Sequence, residues 1–194
     1  MKLALRTHRV RWIVPIELAL AIIGSLYGEV SLLVPSFSGM GAVPVTVIAA
    51  LAGTTSLALP INAAWPSSRT VPVRSDSLIC LAVLATALAP AVATCVVLGS
   101  LHPERAALEY LSVFGWLLAL QMAAATLLSG TYQAMAPVTY VLLCALLGRV
   151  DSSIQPWAWP LAEIPVGIAL VVGTSALVAA LALFAFLGLH RSHG

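Results

Sequence analysis

Two acidic residues interrupt long apolar runs in this sequence, Glu17 and Glu29. An unpaired charge at membrane depth costs about 2.5 to 3.5 kcal/mol on insertion scales, so each carboxylate needs a partner or a purpose. Glu17 lies about one and a half turns past Arg11, and is expected to snorkel toward the basic cluster of Lys2, Arg6, Arg9 and Arg11. Glu29 sits beside Tyr27 at the far end of the same run, flanked by Gly28. It is the carboxylate best placed to meet a cationic substrate. Gln121, in the middle of a later run, can hydrogen-bond between helices or line a pathway. Arg105 and Glu109 are spaced i, i+4 and are expected to pair.

Catalytic chemistry needs more than these groups provide. Serines at Ser38-Gly39-Met40-Gly41 and Ser129-Gly130 lack a Gly-x-Ser-Gly setting, and His8, His102, His190 and His193 fall at ends and loops, so a nucleophile–base pair at membrane depth is not expected. HExxH and paired aspartates do not occur. Cys80, Cys95 and Cys144 lie in apolar runs without CxxC or Cys/His spacing and read as small buried residues, neither disulfide framework nor metal site. There is no GxxxxGK[ST], so the chain is not expected to hydrolyse ATP itself. No catalytic, cofactor or metal residue is assigned.

The elements that carry these residues follow from composition. The chain has 194 residues, 61% hydrophobic and 8% charged, and a mean hydropathy of +1.04. That is too little charge to solvate a globular surface. The expectation is an all-α polytopic membrane protein, a single transmembrane domain over residues 1–194. A span takes about 20 apolar residues, and six are placed at Trp12 to Val34, Ala42 to Asn62, Leu78 to Gly99, Ala106 to Ser129, Gln133 to Arg149 and Ile164 to Leu189. The first run exceeds a signal h-region and lacks an Ala-x-Ala site, so it is kept as a span. Pro15, Pro44, Pro90 and Pro137 predict kinks within four spans. Gly24 and Gly28, with Gly167, Gly173, Ala176 and Ala180, predict close helix packing.

Orientation follows from the basic residues. With the N-terminus inside, Lys2, Arg6, Arg9, Arg11, Arg69, Arg74 and Arg191 are cytoplasmic and only Arg105 and Arg149 lie outside. Both termini are then cytoplasmic, and the outer rim collects Glu29, Glu104, Glu109, Asp151 and Glu163. Lys2, Arg6 and Arg9 repeat at i, i+4, i+7, as on a short basic amphipathic helix in the inner interface or a basic tail that fixes topology. Ala64 to Ser77 is the one substantial polar connection between spans. Its Arg69 and Arg74 place it inside, and Pro66 and Pro72 leave room only for a short helical turn. Ser129-Gly130-Thr131-Tyr132 is a tight turn that makes its two flanking helices neighbours. Asp151 to Glu163, with Trp157 and Trp159, is too polar to span and too aromatic to float in water, and predicts a short outer re-entrant or interfacial segment before the last helix.

This layout resembles the membrane subunit of type-2 ABC transporters. The matching features are the basic segment Met1 to Arg11, six spans with both ends inside, the connection Ala64 to Ser77, the short turn between spans four and five, and the segment Asp151 to Glu163. The resemblance covers the whole chain and is one of layout; Arg69-Thr70-Val71 is the only part similar to the family's coupling sequence, whose acidic residue and glycine are missing here. It implies a permease subunit of an exporter that forms half of a translocation pathway for an amphiphilic substrate, such as an antimicrobial peptide, a drug or a lipid. It also implies an ATP-binding cassette subunit as partner, carrying the ATP, and a second permease copy or homologous permease. Arg69, Thr70 and Arg74 are the candidate coupling residues, and Glu29, Gln121, Trp157 and Trp159 the candidate pathway residues. The alternatives are the substrate-binding S-component of a vitamin importer and a non-transporting membrane scaffold or immunity subunit. High Ala, Val and Arg with almost no lysine suggests a GC-rich bacterial genome; the expected location is the plasma membrane, and no nucleic-acid partner is expected.

Overall fold

The computed structural model of the protein describes residues 10–37, 39–58, 61, 85, 88–89, 92–100, 106–128, 130–150, 153–162 and 164–191. Among them the protein is predominantly helical. Helix α1 runs Val10–Leu26, α2 Val45–Ser56, α3 Ala106–Leu127, α4 Met135–Leu147 and α5 Val166–Arg191, and residues 92–100 are helical as well. The candidate coupling residues Arg69, Thr70 and Arg74, and half of the third expected span, lie outside the described residues.

Among the described residues two helices are long and apolar enough to cross a membrane: α3, and α5 over Val166–Phe184. Three shorter apolar helices accompany them, at Trp12–Leu26, Val45–Ser56 and Tyr132–Leu147. The architecture differs from an unbroken set of long spans at a specific place. The run expected to continue as helix to Val34 stops at Leu26, and the chain turns into an antiparallel hairpin of β1 (Ser31–Ser36) and β2 (Gly39–Pro44). The second helix therefore begins at Val45 rather than Ala42, and the fold is helical with small β-hairpins rather than purely α.

Local chemistry accounts for this. The residue before a proline is driven toward extended backbone, and both Val34 and Val43 precede one. β-branched residues at Val30, Val34 and Val43 suit a pleated ribbon. The register pairs Ser31 with Pro44 and Ser36 with Gly39, and Gly39 takes φ +118° at the turn, which L side chains seldom adopt. Pro44, expected to kink a span, instead caps the start of α2 with extended backbone (φ −61°, ψ 144°). Pro15 does lie within α1, and Pro137 sits in the first turn of α4, where its missing N–H costs nothing.

Helix α3 is the centre of the bundle: it packs against α5, α2, α1 and α4. Its buried side chains face all round, among them Tyr110, Phe114, Leu117, Leu118 and Met122, as expected of a helix surrounded by others. Small residues set the distance of approach. A Cβ built on Gly24 would strike the Tyr110 ring, and one on Gly173 would come within 2.9 Å of the Ser112 carbonyl carbon. At the turn after α3 the chain makes one 3-10 helix, Gly130–Ala134, and passes into α4, which contacts α3. Buried Gln133 in that turn donates from Nε2 to the Ala58 carbonyl, 2.8 Å away, and so ties the end of α2 to it.

The segment before α5 is a compact cap. Strands β3 (Arg149–Val150) and β4 (Ser153–Ile154) form a minimal hairpin, followed by a 3-10 helix Pro156–Leu161. Aromatic side chains hold it to the bundle: Trp116 of α3 lies 6.0 Å from Tyr140 of α4 and 5.9 Å, edge-on, from Trp159 of the cap. The Tyr140 hydroxyl donates to the Trp157 carbonyl at 2.6 Å. Both hairpins and the cap thus gather at one end of the bundle, where β2 touches the cap and Arg149 reaches the Ala42 carbonyl.

Candidate functional site

That end encloses a cavity of about 590 Å³. Five separate segments supply the polar and aromatic side chains of its wall. The turn after α1 supplies Glu29, the first turn of α2 supplies Thr46, α3 supplies Glu109 and Ser112, the strand after α4 supplies Arg149, and the cap supplies Trp159. Each is delivered by a local feature already described: the helix break before the hairpin releases Glu29, Pro44 starts α2 so that Thr46 lies in its first turn, and the aromatic cluster fixes Trp159.

Polar groups in the wall are partly committed to the backbone. Thr46 Oγ1 donates to the Gly28 carbonyl (3.2 Å) and Ser112 Oγ to the Glu109 carbonyl (2.8 Å). Two buried N–H donors of wall residues, Arg149 Nε and Trp159 Nε1, have no hydrogen-bond acceptor among the described residues. With two carboxylates, one guanidinium and an indole, the site is amphoteric. It suits a ligand whose cationic end meets Glu29 or Glu109 and whose apolar body lies against Trp159, Val113 and Leu161.

Of the four residues expected along a pathway, the structure brings two together, Glu29 and Trp159. Trp157 is exposed and outside the wall, with its carbonyl engaged by Tyr140. Gln121 is fully buried in α3, about 18 Å along the helix axis from Glu109. It was expected to hydrogen-bond between helices, yet neither amide atom finds a partner among the described residues. Arg149, Thr46 and Ser112 were not expected in a site. In the sequence Arg149 bears only on topology, and its position shortly before the Trp-rich segment is the available signal.

Glu17 departs most from expectation. It does not snorkel; it is wholly buried and its Oε1 accepts a hydrogen bond from Ser56 of α2. The reason is the facing of α1, whose buried positions Ile13, Glu17, Ala21 and Gly24 form one stripe turned to α2 and α3. Glu17 falls in the middle of it.

Comparison with known proteins adds no relative: no family model, curated protein or solved structure matches the chain. No group of three or more His, Cys, Asp or Glu that could hold a metal occurs among the described residues.

Proposed function

We propose that this protein is the multi-pass permease subunit of an ABC exporter in a bacterial plasma membrane, forming half of a translocation pathway for an amphiphilic substrate and driven by a separate ATP-binding cassette subunit. The observation that carries the reading is the amphoteric cavity at the hairpin end, and an inside-facing basic cluster at the N-terminus would put that end on the outer side. The neighbouring helix supports it. Only 17% of the Val166–Phe184 stretch of α5 is buried within the chain, leaving Ile168, Val171 and Val178 exposed for lipid or a second permease copy.

Mass measurement of the tagged chain, purified from native membranes into nanodiscs, tests the assembly. Two permease chains with two ATPase subunits are expected. A stable monomer that transports unaided refutes the exporter. A second reading has one observation in its favour: the cavity of about 590 Å³ is of small-molecule size, as suits a substrate-binding S-component, and a monomer that retains a vitamin-sized ligand through purification would select it.

A further inference from the structure

Among the described residues the cavity leaves a wholly buried ionisable side chain of the bundle unused. Glu17 has no exposed surface, and while Oε1 is engaged by Ser56, Oε2 has no partner among the described residues. Tyr110 Oη is likewise buried and unpartnered. Both oxygens converge on the backbone of Gly53: a Cβ built there would lie 2.9 Å from Glu17 Oε2 and 3.3 Å from Tyr110 Oη. Only a residue without a side chain leaves that space to them.

We propose that Glu17 is a buried proton-binding site, a carboxylic acid sealed from the cavity by the Tyr110 ring and able to exchange its proton when the ring moves. The groups that face it are few. From α2 come the Ser56 hydroxyl and the Gly53 backbone, and from α3 the Tyr110 phenol and the Phe114 ring edge. Beyond them, the Cys95 thiol interacts with Tyr110 and with Ser25 of α1. None of these is a cation. An ionised carboxylate there would be desolvated with no countercharge among the described residues, whereas the protonated acid carries one O–H donor and accepts from Ser56. A proton is the ligand that completes this set.

The ring's position supplies the route. Tyr110 stacks on Phe114, with centroids 5.7 Å apart, and presses on Gly24. Its helix neighbours Ala106, Glu109 and Val113 line the cavity, as does Gly28 one turn beyond Gly24. The phenol therefore lies between the cavity and Glu17. This site stands whatever substrate the cavity takes.

Carbodiimides report on it because they require a protonated carboxyl: the acid oxygen adds to the central carbon, the proton passes to nitrogen, and the adduct rearranges to a stable N-acylurea. The full chain in nanodiscs is treated with lipophilic dicyclohexylcarbodiimide at pH 6 and pH 9, and the modified position is read by peptide mass. We expect modification at Glu17 at pH 6, about tenfold less at pH 9, and none at that position in Glu17→Gln. No modification at either pH, or equal modification at both, overturns the proposal. A water-soluble carbodiimide tests the seal. It should reach Glu29 but spare Glu17 in the parent, spare Glu17 also in Tyr110→Phe, which keeps the ring, and modify Glu17 about tenfold faster in Tyr110→Leu. Equal rates in all three would show that the ring is not the barrier, and Gly53→Ala, whose methyl would meet the carboxyl oxygen at 2.9 Å, should lower the lipophilic reaction at Glu17.

Discussion

Replacing Gly173 by alanine should separate the two most extensively packed helices, α3 and α5. The added methyl would stand 2.9 Å from the Ser112 carbonyl carbon and 3.0 Å from its Cα, with the carbonyl oxygen closer still. These are backbone atoms and cannot rotate away. Restoring ordinary contact, about 3.5 to 4 Å between carbons, requires the helices to part by roughly 0.5 to 1 Å, which forfeits a quarter to a half of each dispersion well along the seam. In lipid such packing is the main cohesion between helices, since the tails are as apolar as the side chains. Overpacking of this kind costs about 1 to 3 kcal/mol. Taking about 2 kcal/mol, the unfolding equilibrium shifts roughly 30-fold. Gly115 meets the same seam more gently, 3.2 Å from the Gly173 carbonyl oxygen, and Gly167 on the same helix has nothing within 4 Å. Gly115→Ala should therefore cost less, and Gly167→Ala should be neutral or slightly stabilising because alanine is the better helix former. Reversible unfolding in mixed micelles measures the series. If Gly173→Ala is as mild as Gly167→Ala, the helices do not meet through these glycines and the packing argument fails.

Three other outcomes use the same assay. Gly39→Ala, at φ +118° with open space around it, should cost about 1 to 3 kcal/mol through backbone strain alone; an unchanged stability would show that the turn relaxes freely. Gln133→Leu removes the buried bond to the Ala58 carbonyl and should cost about 1 kcal/mol, with faster hydrogen exchange at the end of α2 as its signature. Tyr140→Phe removes the hydroxyl that holds Trp157 and should raise hydrogen exchange across Pro156–Leu161 while leaving α3 protected; equal protection in the cap would mean that ring packing alone retains it.

The helical class and the small-residue contacts were legible in the sequence because they depend on composition and on neighbours a few residues apart. Gly24, Gly28 and Gly173 make the tight contacts their spacing suggested, while Gly167, drawn from the same pattern, meets nothing. Spacing marks where a helix can be approached, not whether a partner arrives. The β1–β2 hairpin was hidden for a different reason. Val30, Leu32, Leu33 and Val34 extend an apolar run that serves helix or strand equally, and the deciding information lies in Pro35, Pro44 and Gly39, whose turn chemistry outweighs the run. The facing of Glu17 was unreadable because α1 is apolar nearly all round; with no polar side to mark solvent, the helix offers no clue to which side turns inward, and only the packing of α2 and α3 decides it.

The same packing links the two sites. Gly28, Thr46 and Ala106 meet at the cavity wall, since a Cβ on Gly28 would lie 2.7 Å from both the Ala106 methyl and Thr46 Oγ1. Further along α1, Gly24 receives the Tyr110 ring, and beyond that lie Gly53 and Glu17. Three helices thus stay in close contact from the amphoteric cavity down to the buried acid, with glycine at each crossing and one phenol between them. Any ligand that spreads α1, α2 and α3 apart at Gly28 must also loosen the seat of Tyr110, because interdigitated contacts of this density do not yield at one point alone. Occupancy of the cavity should therefore change the reactivity of Glu17, and a cationic amphiphile that protects Glu29 from the water-soluble carbodiimide should at the same time alter modification at Glu17. If Glu29 is protected while the rate at Glu17 stays constant, the two sites are mechanically independent and the contact line between them is only packing.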